Sequence, residues 1–231
     1  MSVLNAIKLG GRCTASLERR GLTVSDALND QEAAQRIEAI RDYPVSLPLS
    51  PHHNDFTATE SFWLFFEYEG FDVGAVCAKC SNLGRGNIEE YWDHMFNRLF
   101  FPDNDGKVGV VDVSRVLPMR GKLIYLGDLF LDEALRGSRD QLLDIMHLLF
   151  TTAYCRWSDF DWIYSFLRDK DVGKALFYGF TDILDTPLRW SHPREGRSND
   201  EHIAALPADR LIYSMPGWIR GHDRSALMGR K

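Results

Sequence analysis

Residues 121–154 read GKLIYLGDLFLDEALRGSRDQLLDIMHLLFTTAY, 155–172 read CRWSDFDWIYSFLRDKDV and 173–180 read GKALFYGF. Positions 122–131 carry Leu, Ile, Tyr, Leu, Leu, Phe and Leu with no proline, the composition of a buried strand. An acidic, glycine-containing turn follows. From Asp140 the apolar residues Leu142, Leu143, Ile145, Met146, Leu149 and Phe150 recur with the 3.6-residue period of a helix with one apolar face. A second apolar strand spans 162–167. Strand, turn, helix and strand in this order make a βαβ-like unit whose turn lies over the strand ends, the natural place for a ligand.

Outward from this unit, 231 residues with 45% hydrophobic and 12% aromatic content are enough for one domain with a sizeable core. The net charge of −6, a pI of about 5.6 and the lack of a Lys/Arg block exclude the electrostatic footprint of direct nucleic-acid binding. The start of the sequence, MSVLNAIKLGGRC, has neither the apolar core of a signal peptide nor the length of a membrane span, so a cytoplasmic, reduced chain with no membrane partner is expected.

Three motifs resemble metal sites and are read otherwise. Cys77 and Cys80 form C-x-x-C, but they lie in the β-rich run VGAVCAKC, and Cys13 and Cys155 stand alone in sequence. DNDG at 103–106 lacks the alternating ligands and closing glutamate of a calcium loop, so it reads as a turn. The adjacent His52 and His53 fall in a polar loop without further ligands at metal spacing. No metal is expected.

Elsewhere the pattern predicts a short strand or extended arm near 21–24, then a helix started by a capping box at Asn29 and Glu32 and stopped by Pro44 and Pro48. Residues 61–68 and 73–79 flank Glu69-Gly70 as an antiparallel hairpin. An amphipathic helix at 87–99 and a strand at 108–116 form an insertion into a single domain, 1–231. Strands are expected at 184–190 and 211–215, and a loose tail from about 217.

With the elements in this order, IYLGDLFLDEALRGS resembles the central strand and cofactor turn of the GNAT superfamily of acyl-CoA-dependent N-acyltransferases, and DKDVGKALFYGF is similar to its later helix, which commonly ends in an aromatic and Gly-Phe. The resemblance covers about 61–180. It implies an α/β (α+β) fold, with a mixed, mostly antiparallel central sheet, a splayed parallel strand pair and helices on both faces. It also implies an acyl-CoA co-substrate, acetyl-CoA in the common case, and direct transfer to a small-molecule amine or a protein amino group. A homodimer stays open. Two other readings are kept: a GNAT-shaped binding or assembly protein without turnover, and an acyl-homoserine-lactone synthase, whose N-terminal arginine and tryptophan pattern finds no match here.

A pyrophosphate binds where backbone N–H groups at a helix N-terminus are approachable, aided by the helix dipole. By the resemblance that place is Arg136, Gly137, Ser138 and Arg139, with the pantetheine arm along Leu129, Phe130 and Leu131. The family's Arg/Gln-x-x-Gly-x-Gly/Ala is reduced here to one glycine, and Arg136 or Arg139 could replace lost amide contacts through guanidinium donors. Asp128 matches the acidic position of the central strand. On a strand that alternates it shares a face with Leu126 and Phe130, which would make it a general base in an apolar wall or an acceptor for a neighbouring loop. The tyrosine that protonates the thiolate in many relatives falls on Ala175; Tyr178, directly before Gly179, points elsewhere on a helix and substitutes only if the helix ends differently. The asparagine that often precedes this helix is missing from Arg168-Asp169-Lys170-Asp171.

Overall fold

A computed structural model of the chain describes residues 3–228 apart from positions 28, 55, 58, 111–115, 117 and 195, with the backbone alone at 225–228. The elements run α1 (Val3–Glu18), β1 (Leu22–Asp26), α2 (Asp30–Ile40), β2 (Ser61–Tyr68), β3 (Phe71–Asn87), α3 (Ile88–Phe100), β4 (Val108–Val110), β5 (Arg120–Leu131), α4 (Arg139–Arg156), β6 (Trp162–Leu167), α5 (Val172–Tyr178), β7 (Asp182–Leu184), β8 (Leu188–Trp190), β9 (His202–Pro207) and α6 (Ala208–Met228). Seven strands form one sheet in the order β1-β2-β3-β5-β6-β9-β7, and β4 pairs with β8 apart from it. Every neighbouring pair is antiparallel except β5 and β6. This is the mixed sheet with one parallel pair that the resemblance implies.

The parallel pairing is short, from Leu123 with Trp162 to Tyr125 with Tyr164. Beyond it β5 stays with β3 as far as Leu131, while Ser165, Phe166 and Leu167 of β6 keep only β9. The strands therefore part at the middle of β5, where its ladder is irregular. Gly127 opposes Cys77 and Phe130 opposes Ala75, so Asp128 and Leu129 face the single residue Val76. That is a β-bulge, and Asp128 adopts φ +54° within it.

Both faces of the sheet are covered because its central strands are apolar on both sides. On β2, Phe62, Leu64 and Phe66 enter one core with α1, α4 and α6, while Trp63 and Phe65 enter the other with α2 and α3. The Asn29 and Asn87 side chains cap α2 and α3 by accepting from the amides of Glu32 and Glu90, each at 2.9 Å. Cys77 and Cys80 lie on β3, one toward each core, so the C-x-x-C cannot converge on a metal or form a local redox pair.

Three expectations need correction, a fourth is seen only in part, and one helix was not expected. Residues 211–215 are helical, and the tail expected from 217 is the continuation of α6 to Met228. Leu211, Met215, Trp218, Ile219 and His222 fall on one helical stripe that runs through Pro216, whose missing N–H costs one intrahelical bond without ending the helix. The strand at 184–190 is two short strands, β7 and β8, in different sheets, separated by a bend in which Thr186 has φ +42°. The strand expected at 108–116 is seen as β4 at Val108–Val110, and positions 111–115 lie outside the described residues. Finally, α1 was not expected at all: its buried face is only Ala6, Leu9, Cys13 and Leu17, and Gly10 and Gly11 interrupt the helical pattern. Gly10 is where α1 meets α4, since a Cβ there would stand 3.2 Å from Thr151 Oγ1.

Candidate functional site

The parting of β5 and β6 leaves a wedge on the α2/α3 side of the sheet, and aromatic rings fill its apex. Tyr125 and Tyr164, the last paired residues, stack with centroids 5.3 Å apart, and Trp92 Nε1 donates to Tyr164 Oη at 3.3 Å. Gly127 makes room for the Tyr125 hydroxyl, because a Cβ at 127 would come within 2.9 Å of that oxygen. Burial pushes the Tyr125 phenol up to about 12 and that of Tyr164 well above its usual value, so both are neutral donors at physiological pH.

From the segment before β9, Arg197 enters this aromatic box. Its guanidinium lies 5.1 Å from the Phe166 ring centroid, 5.4 Å from Phe100 and 5.5 Å from Phe96, and it donates to Glu201 Oε1 at 3.0 Å. Both side chains of the pair are nearly closed to solvent, 6% and 9% exposed, so the charges are mutually dependent. Glu201 Oε2 and Trp190 Nε1 are buried there without a hydrogen-bond partner of normal geometry. Burial pushes the Glu201 carboxyl upward, and Arg197 opposes that shift without cancelling it. The Ser198 amide and the Trp190 indole lie close enough to this carboxylate to oppose the upward shift as well, and Oε2 is itself closed to solvent.

Asp128 sits at the wedge mouth, but the bulge changes where it points. Before the bulge, Ile124 and Leu126 face the α1/α4 core and Leu123 and Tyr125 the α2/α3 core; after it, Leu131 faces the α1/α4 core. One extra residue has reversed the alternation. Asp128 therefore shares a face with Phe130 and not with Leu126, contrary to expectation, and it reaches the segment after α2. There its carboxylate accepts from Ser46 N at 3.0 Å and Ser46 Oγ at 2.7 Å and forms a buried ion pair with Arg41 at 3.2 Å. The Arg41 guanidinium in turn lies 4.4 Å from the Tyr43 ring, which packs edge-on against Phe130. Of the two roles open for Asp128, these contacts are those of an acceptor for a neighbouring loop.

The turn after β5 is held by its own side chains. Asp132 Oδ1 accepts from Ala134 N, and Arg136 Nε donates to Leu131 O at 2.6 Å while its guanidinium lies over Phe130. Leu129 is exposed, whereas Leu131 offers its carbonyl to Arg136. Gly137 has φ +101°, a value side chains resist, and turns the chain into α4. Ser138 caps α4 by accepting from Gln141 N at 3.2 Å, which leaves the first-turn amides of Arg139 and Asp140 outside the helix ladder. Arg139 stacks on Phe177 of α5, 3.8 Å from the ring centroid.

The helix α5 ends at Tyr178, with Gly179 in the left-handed region at φ +109°. Ala175, at the position of the relatives' tyrosine, is fully buried, while Tyr178 is half-buried and packs at the edge of the α1/α4 core. Burial and Asp171 raise the Tyr178 phenol above 10, and Arg139 opposes them. Thus the fold gathers Leu129, Phe130, Leu131, Arg136, Gly137, Ser138 and Arg139 along one strand end and turn, with Tyr178 on the helix that Arg139 touches. The sequence reading missed Tyr125, Arg197 and Glu201. The only signal was the i,i+4 spacing of Arg197 and Glu201, which looks the same on an exposed surface.

No family model matches the chain, and no curated protein matches it. Among solved structures the chain is similar to FeeM, an N-acyl amino acid synthase from uncultured soil microbes, at 14% identity over 82% of this chain and 92% of that one, with a TM-score of 0.47. It is also similar to Arabidopsis thaliana Naa50 in complex with a bisubstrate analogue, at 10% identity over 80% and 98% of the two chains, TM-score 0.42. A third is the acetyltransferase of the GNAT family from Streptococcus pneumoniae, at 9% identity over 80% and 99%, TM-score 0.41.

Proposed function

We propose that the chain is an acyl-CoA-dependent N-acyltransferase that moves an acyl group, acetyl in the simplest case, from a thioester directly to a primary amine. The observation that carries this reading is the bulge of β5 at the point where β6 leaves it. Beyond Tyr125 the β6-facing backbone groups of β5 are left without β6 as a partner, so a pantetheine arm could pair with them near the bulge. The N-terminus of α4 follows after one short turn, with Arg136 and Arg139 beside it for the pyrophosphate.

In the reaction the amine nitrogen attacks the thioester carbon, the C–N bond forms and the C–S bond breaks. The amine's proton passes to Glu201, directly or through a water, and the departing thiolate takes a proton from Tyr178. Asp128 holds the 41–46 segment over the wedge through Arg41 and Ser46 and so positions the acceptor. Isothermal titration with acetyl-CoA is the first test: binding that weakens in Arg139→Ala and with added salt supports the reading. No heat at millimolar acetyl-CoA would remove it. A reading as a binding or assembly protein without turnover has one observation in its favour: Asp132, Glu133 and Asp140 place three exposed carboxylates around the turn that would have to receive a pyrophosphate.

A further inference from the structure

On the opposite side of the sheet from the wedge, α1, α4 and α6 converge on a polar cluster set in the apolar core. Cys13 Sγ from α1, His147 Nδ1 from α4 and His222 Nε2 from α6 all lie within 4.8 Å of one another. Sγ stands 3.7 Å and Nδ1 3.1 Å from His222 Nε2. Cys13 and His147 are buried, and the His222 side chain is 12% exposed, which gives a path from solvent along α6. We propose that these three side chains bind one borderline-soft divalent cation of the zinc type, with the fourth position left to a water.

The first support is geometric. A tetrahedral zinc with Zn–N of about 2.0–2.1 Å and Zn–S of about 2.3 Å has N–N and N–S edges of roughly 3.4 and 3.6 Å. The two close distances here need to change by only a few tenths of an ångström. One thiolate with two imidazoles is also the donor set that suits zinc and disfavours magnesium or calcium.

The second support is that the cluster does not satisfy itself by hydrogen bonds. Asp144 Oδ1 lies 3.2 Å from His222 Nδ1 and accepts its proton, which fixes Nε2 as the bare nitrogen. Two groups, Cys13 Sγ and His147 Nδ1, then compete for one lone pair. If His147 carries its proton on Nδ1, its Nε2 is a buried acceptor without a donor; on Nε2, the proton has no acceptor and two lone pairs face each other at 3.1 Å. A cation takes both lone pairs at once and leaves the His147 Nε2–H as the cluster's one buried donor without an acceptor.

The third support is the outer shell. Carboxylate, histidine and metal in line is the arrangement that orients a ligating imidazole and raises its basicity, and Asp144 is itself held by an ion pair with Arg20. Trp218 stacks on the His147 ring at 4.1 Å and fixes its plane. Binding displaces the Cys13 proton to solvent and forms a thiolate–metal bond, so one proton is released per cation taken up.

The test uses the reduced, full chain and the metal alone. Cobalt(II) is expected to bind at one per chain with a thiolate-to-cobalt charge-transfer band, and zinc to displace it. Cys13→Ser is expected to abolish the band, and Asp144→Asn to weaken zinc binding roughly 10- to 100-fold. A chelator is expected to lower the Tm of the zinc-loaded chain but not that of Cys13→Ser. Absence of the band with excess cobalt in the unmodified protein, a measurement that depends on no variant folding, would overturn the proposal. So would its persistence in Cys13→Ser, which would assign the thiolate to another cysteine. Neither outcome bears on acyl-CoA binding across the sheet.

Discussion

On the β5 wall of the wedge, Asp128 spends its carboxylate on Ser46 and Arg41; beside β9, Glu201 gives one oxygen to Arg197, and its other oxygen has no partner of normal geometry. Both are buried and both face an arginine. The difference is in the remaining lone pairs: a carboxylate with every site occupied fixes geometry, while one with an unfilled site can exchange a proton. The sequence singles out Asp128 for the chemistry; in the function proposed above that role falls to Glu201.

The largest expected effect tests the Glu201 side. Glu201→Gln keeps the shape and removes basicity, so turnover is expected to fall about a hundred- to ten-thousand-fold with acetyl-CoA affinity retained. Turnover within a few-fold of the parent, in a steady-state assay on folded protein, would return the base to another residue. On the Asp128 side the expected loss is of stability. Asp128→Ala leaves the Arg41 guanidinium, only 2% exposed, without its ion pair, which is expected to cost about 3–5 kcal/mol in denaturant unfolding. An unchanged midpoint together with lost turnover would reverse the assignment of the two walls.

Smaller effects sharpen the comparison from outside the wedge. Arg136→Ala and Arg139→Ala are each expected to weaken acetyl-CoA binding by about 1–3 kcal/mol, less at high salt. The smallest effect is in the pH profile. A base works in its deprotonated form, and burial raises Glu201, so the acid limb of kcat is expected above pH 4.5. An acid works in its protonated form, and burial raises Tyr178, so the alkaline limb is expected above pH 10 and to be lost in Tyr178→Phe. An acid limb unchanged in Glu201→Gln would count against the carboxylate.

The fold is legible in the sequence wherever one element declares itself locally. The helix from Asp140, the hairpin of 61–68 with 73–79 and the Asn29 cap each depend on neighbours a few residues away, and the structure has all three, although α4 is buried without a break from Asp144 to Thr151 and not along one face. The bulge was signalled by Gly127 inside a strand, but its consequence, the reversed facing of Asp128, follows only from the register against β3. The loose tail expected from about 217 is helical instead, with Trp218 and Ile219 packed on the core. Sites assembled from distant segments gave no local signal. Cys13 stands alone in sequence, and His147 and His222 reach it only because three helices pack on one face.

The dependence of α1 on α4 has a consequence for synthesis. The stripe of Ala6, Leu9, Cys13 and Leu17 is covered by a helix that leaves the ribosome about 140 residues later. At roughly 5–20 residues per second the wait is on the order of ten seconds. During that time the amphipathic face of α1 is free, and the Cys13 thiol with it, so holdase chaperones and thiol oxidants meet this segment in the nascent chain long before its partners exist.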